Sequence, residues 1–129
     1  MDGSSSPQIA KLVYVVDDEP MLLELADMIL SAEGYRVEKF QSSDTALKTF
    51  LAAEPKPALL ITDYNLGAMD GLDLIAQCRR MQPELKSIMI SGSLRAETYT
   101  RSNVKADGFL GKPYRPDQLA NLVRTLMAK

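Results

Sequence analysis

Five polar residues stand where an apolar run gives out. Asp17 and Asp18 follow the run Lys11 to Val16, Asp63 ends the run that begins at Ala58, Ser91 ends Lys86 to Ile90, and Lys112 stands just after Asp107 to Leu110. Each has a plain reading alone: helix-dipole partners for the paired aspartates, a turn residue for Asp63, a cap for Ser91, a surface charge for Lys112. Together they are three carboxylates, a hydroxyl and an ammonium. Like charges brought within a few ångströms disfavour ionisation, and a hard divalent cation relieves them. Oxygen ligands without histidine or cysteine point to Mg²⁺, with Mn²⁺ or Ca²⁺ as alternatives. Mg²⁺ keeps room for phosphate oxygens. Metal, ammonium and hydroxyl then enclose a phosphoryl group on three sides, and phosphoryl transfer is mostly positioning and charge neutralisation. Asp63 is the carboxylate best placed to attack, forming an aspartyl phosphate.

These residues meet only if the apolar runs are parallel strands. Lys11 to Val16 and the run ending at Asp63 are continuous and apolar, as strands buried on both faces are. Tyr35 to Phe40 alternates more and reads as a strand nearer an edge. Lys86 to Ser91 and Asp107 to Leu110 supply the fourth and fifth strands. Helical spacing lies between them. Pro20 opens a helix through Leu22, Leu25, Ala26 and Ile29 that closes at Gly34. Ser42 or Ser43 caps a second through Ala46, Leu47, Phe50 and Leu51, ended by Pro55. Gly71, Leu74, Ile75 and Cys78 mark a third. Arg95 to Val104 is weakly amphipathic and predicts a short, marginally held fourth. Pro116 and Asp117 open a fifth through Leu119, Leu122, Val123 and Leu126. Strands alternating with helices predict an α/β, doubly wound, five-stranded parallel sheet. In open sheets of this kind, ligands bind at the carboxyl ends of the strands.

Composition narrows the function. With 129 residues, the chain is predicted to be one domain over residues 10–129, preceded by a short flexible leader over 1–9. A net charge of −2 argues against direct nucleic-acid contact. Arg79–Arg80 and the group Arg95, Arg101 and Lys105 read as solvated helix faces. The chain has no histidine, so no histidine within it can be base, ligand or phosphocarrier. The single cysteine, Cys78, falls on an apolar helix face and reads as core in a reducing compartment. No stretch approaches the ~18 apolar residues of a membrane span. A cytoplasmic protein without membrane contact is expected.

The order of these residues resembles the response-regulator receiver domain of two-component signalling, over roughly Lys11 to Lys129. The resemblance rests on Asp17-Asp18 after the first strand, Asp63 followed by Met69-Asp70-Gly71, Ser91-Gly92, and Lys112-Pro113. It implies the flavodoxin-like (βα)5 fold with strand order 2-1-3-4-5. Asp63 would be the phosphoacceptor. Asp18, Asp63 and the backbone carbonyl of Asn65 would bind Mg²⁺ directly, with Asp17 acting through a water. Ser91 and Lys112 would hold the phosphoryl group, and Lys112–Pro113 would be a cis peptide. Ser91 and Phe109 would be the switch pair. The implied partners are a sensor histidine kinase or histidine phosphotransfer protein as donor, and a downstream protein target. Phosphorylation would reshape a protein-binding surface from Arg95 to Leu126. The chain would catalyse only its own phosphorylation and dephosphorylation. Three positions depart from the commonest pattern: Ser91 where threonine is frequent, Gly67 where proline is common, and Phe109, which lacks a hydroxyl.

Three other readings compete. An aspartate-nucleophile phosphohydrolase usually carries a second acid two residues after the nucleophile; Asn65 stands there. A flavodoxin-like cofactor carrier needs a hydroxyl-rich phosphate loop after the first strand, where this chain has Asp17-Asp18-Glu19. A degenerate receiver working only as a binding surface does not need the intact acidic set.

Overall fold

The computed structural model describes residues 10–92 and 105–128. Five strands, β1 Leu12–Val16, β2 Arg36–Phe40, β3 Leu59–Asp63, β4 Lys86–Ser91 and β5 Gly108–Gly111, are joined by helices α1 Pro20–Ala32, α2 Ser43–Ala52 and α3 Gly71–Met81 and followed by α4 Pro116–Met127. All four strand pairings are parallel, in the order β2-β1-β3-β4-β5. The fold is therefore the expected one, with β2 at an edge. Four helices lie among the described residues; the weak helix expected over Arg95 to Val104 falls outside them. The fifth strand runs one residue later than its apolar pattern suggests.

The continuous apolar runs hide a period of two. Val13, Val15, Leu59, Ile61, Ile88 and Ile90 pack on one face against Leu23, Ala26, Leu30, Leu119, Val123 and Leu126 of α1 and α4. Tyr14, Val16, Leu60 and Met89 point to the other face, against Ala46 and Phe50 of α2 and Leu74, Ile75 and Cys78 of α3. Burying both faces removes most apolar side chains of the three central strands from water, each worth about 1.5–3 kcal/mol. That makes β1 and β3 stiff supports for the carboxylates at their ends. Cys78 is buried, as expected, and burial pushes its thiol up to about 12, which leaves it inert at neutral pH.

Local chemistry sets where the helices begin. Ser42 caps α2 by accepting from the Thr45 N–H at 3.2 Å. Asp70 does the same for α3 through the Asp73 N–H at 2.9 Å. After α1, the N–H groups of Gly34 and Tyr35 return to the carbonyls of Ser31 and Leu30, a Schellman closure.

One charge was misread from the sequence. Arg79 is not on a solvated face, although its neighbour Arg80 is exposed. The Arg79 guanidinium donates to the Lys105 carbonyl at 2.6 Å, to Ser87 Oγ at 3.0 Å and to Asp107 Oδ2 at 2.8 Å. Asp107 Oδ2 also accepts the Ser87 N–H at 2.8 Å. This cluster ties α3 to the starts of β4 and β5. Helical periodicity places Arg79 at the edge of the apolar face, and the long apolar stem carries the charge to partners that only the β4–β5 pairing assembles.

The entry to α3 bears directly on Asp63. The Gly71 N–H donates to the Tyr64 carbonyl at 2.9 Å, closing the loop between β3 and α3 on itself. A Cβ at Gly71 would meet the Asp63 carbonyl oxygen at 2.5 Å and the Tyr64 Cα at 3.1 Å, both backbone atoms without freedom to yield. Gly71→Ala is therefore expected to cost about 1–3 kcal/mol. The measurement is a urea transition moved to lower midpoint with unchanged slope; an unmoved midpoint contradicts the close approach.

Candidate functional site

The carboxyl ends of four strands bring the expected residues to one edge. Asp17 follows β1, with its N–H on the Phe40 carbonyl at 3.0 Å and its Oδ1 accepting the Glu19 N–H at 2.9 Å. Asp63 is the last residue of β3, and the hydroxyl of the fully buried Thr62 donates to its carbonyl at 2.9 Å. Both carboxylates are buried, at 6% and 5% exposure, while Asp18 lies open to solvent. Carboxylate oxygens of Asp17, Asp18 and Asp63 all lie within 4.8 Å of one another. Ser91 is the buried last residue of β4, one position past the residue that pairs with Asp63.

Lys112 reaches this group from β5. Its N–H donates to the Ser91 carbonyl at 3.1 Å, which fixes where the side chain starts. Its Nζ lies 3.2 Å from Asp17 Oδ2, 3.3 Å from Asp63 Oδ2 and 3.4 Å from Glu19 Oε1. The Lys112–Pro113 peptide is cis, as the resemblance implies. Asn65 sits on the exposed loop two residues after Asp63. Phe109 lies on β5 beside Met89 and is 43% exposed.

The electrostatics follow from burial. Desolvation raises the pKa of Asp17 and of Asp63 above the ordinary carboxylate value, against the pull of Lys112, and a neighbouring aspartate raises each further. Burial works to lower the Lys112 ammonium, but Asp17 and Asp63 together outweigh it and the net shift is upward. One cation thus faces more negative charge than it can neutralise. The donors are all hard oxygens, grouped closely enough for one small cation, and one of the three is open to solvent. That set fits a hard divalent ion such as Mg²⁺ and suits neither zinc nor a soft metal.

Two features escaped the sequence. Glu19 has no place among the residues expected at the site, yet its carboxylate faces Lys112, 93 positions away in the chain. Only the β1–β3–β4–β5 order makes them neighbours. Gly67, which stands where proline is common in the family, has φ +87°. Proline, fixed near −65°, has no access to that conformation, so the loop is built on a left-handed glycine.

The family profile described as the response regulator receiver domain matches residues 13–124. Among curated relatives, the nitrogen assimilation regulatory protein NtrX of Azorhizobium caulinodans is 33% identical over 108 residues, covering 83% of this chain and 24% of the relative. The chain spans 12–50% of the length of the first curated relatives it matches. Among solved structures, the receiver domain of NtrX from Brucella abortus is 31% identical with a TM-score of 0.79, covering 91% of this chain and 98% of that one. A CheY-like response regulator receiver domain protein from Methanospirillum hungatei is 27% identical with a TM-score of 0.86, covering 93% and 95%. Its fold, its acidic strand ends and the match over nearly its whole length make this chain a member of the response-regulator receiver-domain family of two-component systems.

Proposed function

We propose that the chain is a phosphorylation-dependent signalling switch whose phosphoacceptor is Asp63. The observation that carries this reading is the Lys112 ammonium held 3.2 Å from Asp17 and 3.3 Å from Asp63, beside three carboxylates grouped within 4.8 Å. Among the described residues, that is the one group of acidic side chains suited to a metal ion.

In the proposed reaction, an Asp63 carboxylate oxygen attacks the phosphorus of a phosphohistidine on a sensor kinase or phosphotransfer protein. The new P–O bond forms as the P–N bond breaks, and its electron pair stays on the departing imidazole. This chain has no histidine, so the donor acts in trans. Mg²⁺, when held by Asp18, Asp63 and the Asn65 carbonyl with Asp17 acting through a water, supplies positive charge against the phosphoryl oxygens. Lys112 pairs with one phosphoryl oxygen, and the Ser91 hydroxyl donates to another. Hydrolysis needs a water activated near Asp63. Asn65 cannot serve as an acid or base there, which favours a phosphoryl group that persists over rapid turnover.

The output follows from Ser91 and Phe109. Drawing Ser91 toward the phosphoryl group at the end of β4 opens space beside β5. Phe109 is 43% exposed, so turning inward removes apolar surface from water. Lacking a hydroxyl, it responds by burial alone. The surface from Arg95 to Leu126 would then present a different face to a downstream protein. Such a population shift needs only a few kcal/mol.

With Mg²⁺ and acetyl phosphate, the intact protein is expected to gain the mass of one phosphoryl group, and Asp63→Asn is expected to gain none. Mass added to the variant would move the acceptor elsewhere. Without metal, the raised native pKa values of Asp17 and Asp63 mean that protonation favours the fold. Their stabilising contribution is full below about pH 4, the ordinary carboxylate value, and is lost as pH rises through the higher native value. At neutral pH, metal-free Asp63→Asn should therefore have a higher urea midpoint than the parent and a flatter pH profile. Mg²⁺ at 100 times its Kd should stabilise the parent by about 2.7 kcal/mol and the variant less. For the switch, amide exchange across β5 and α4 should differ with and without a beryllofluoride mimic. Identical protection would remove the output claim.

A further inference from the structure

Glu19 occupies the N-cap position of α1, where an acidic or hydroxyl side chain ordinarily turns back onto the first-turn N–H groups. Here it does not: the position has no side-chain capping hydrogen bond. Its backbone is nonetheless fixed from both sides. The Glu19 N–H donates to Asp17 Oδ1 at 2.9 Å, and its carbonyl accepts from Leu22 at 3.1 Å and Leu23 at 3.3 Å. The carboxylate instead reaches Lys112 Nζ at 3.4 Å. It stands apart from the acidic group suited to a metal ion, which comprises Asp17, Asp18 and Asp63.

The consequence lies in the ammonium. A lysine ammonium has three N–H donors and no acceptor. Three carboxylates, those of Asp17, Asp63 and Glu19, stand at 3.2, 3.3 and 3.4 Å, one for each donor. A phosphoryl oxygen arriving at Asp63 must take the place of one of them. The Asp17 and Asp63 side chains are nearly buried, at 8% and 7% exposure, whereas that of Glu19 is 63% exposed. Buried charges are costly to leave unpaired, and an exposed one is not. The Glu19 contact is therefore the one released most readily.

We propose that Glu19 is a positioning residue for phosphoryl transfer: its contact holds the Lys112 ammonium toward the rim of the site, so phosphorylation of Asp63 waits on its release. This rests on the phosphoacceptor reading of Asp63. The contact acts as a brake in the unphosphorylated protein. Once the phosphoryl group is bound, Glu19 is free of Lys112 and returns to solvent.

Two substitutions test it. Glu19→Gln removes the charge. Glu19→Asp keeps the charge, but the shorter carboxylate falls short of Lys112 and can cap the first turn of α1 instead. Rates of phosphoryl mass gain are measured with acetyl phosphate at saturating Mg²⁺. Both variants should be phosphorylated faster than the parent, by about two- to five-fold, the range an exposed ion pair supports. A structural lesion would slow both. Glu19→Asp at the parental rate would mean that rim charge acts without the contact, and would overturn the proposal, as would Glu19→Gln at or below the parental rate. A parent that gains no phosphoryl mass fails the phosphoacceptor reading itself, a result distinguishable from either of these.

Discussion

The ammonium of Lys112 between the carboxylates of Asp17 and Asp63 is the contact on which the rest of the site depends. Two carboxylates held at about 5% exposure repel each other and have lost most of their hydration. Without a cation between them they would protonate or push the strand ends apart. One ammonium serves both, yet it leaves negative charge over, since Asp18 and Glu19 stand close by. The site is thus ready for further positive charge and for a group that Lys112 can engage.

The fold exists, for this purpose, to hold that contact in register. Lys112 lies far along the chain from Asp17, and three strand pairings separate them. A slip of one residue in any of them would turn the side chains at the strand ends to the opposite face. The double-sided core prevents this, because alternate residues of β1, β3 and β4 are each committed to a different layer. At the other edge of the sheet, Arg79, Ser87 and Asp107 hold the starts of β4 and β5 to α3. Their hydrogen bonds set the register from which Ser91 and Lys112 emerge. Gly71 allows α3 to begin against the backbone of Asp63, so the loop that follows the candidate phosphoacceptor is short and closed.

Stability and function pull against each other at this edge. Burial raises the pKa values of Asp17 and Asp63, so their ionised forms cost stability at neutral pH. A ligand that removes this cost couples its binding energy to the fold. That coupling is what a switch requires, because a ligand can shift a population only through unequal interaction with its two states. Phe109, the proposed output residue, is a large apolar side chain left partly in water, with a gain available on burial.

Much of this was legible in the chain. The apolar runs that stop at Asp17, Asp63 and Ser91 marked both the strands and the polar residues that meet at their ends, because a strand buried on both faces stays apolar until it leaves the core. Their alternation with helical spacing implied parallel pairing and hence convergence at one edge. The absence of histidine and the lone buried cysteine left oxygen chemistry. Other features depended on tertiary structure. Glu19 and Arg79 looked like ordinary surface charges, since nothing local distinguishes a solvated carboxylate or guanidinium from one whose partners lie in a distant strand. The positive φ of Gly67 and the close approach at Gly71 are properties of backbone packing, invisible in residue type alone. Sequence thus determined which groups are present and which strand ends carry them. Tertiary structure decided which of them share a proton donor, because that depends on distances of about 3 Å set by strand register.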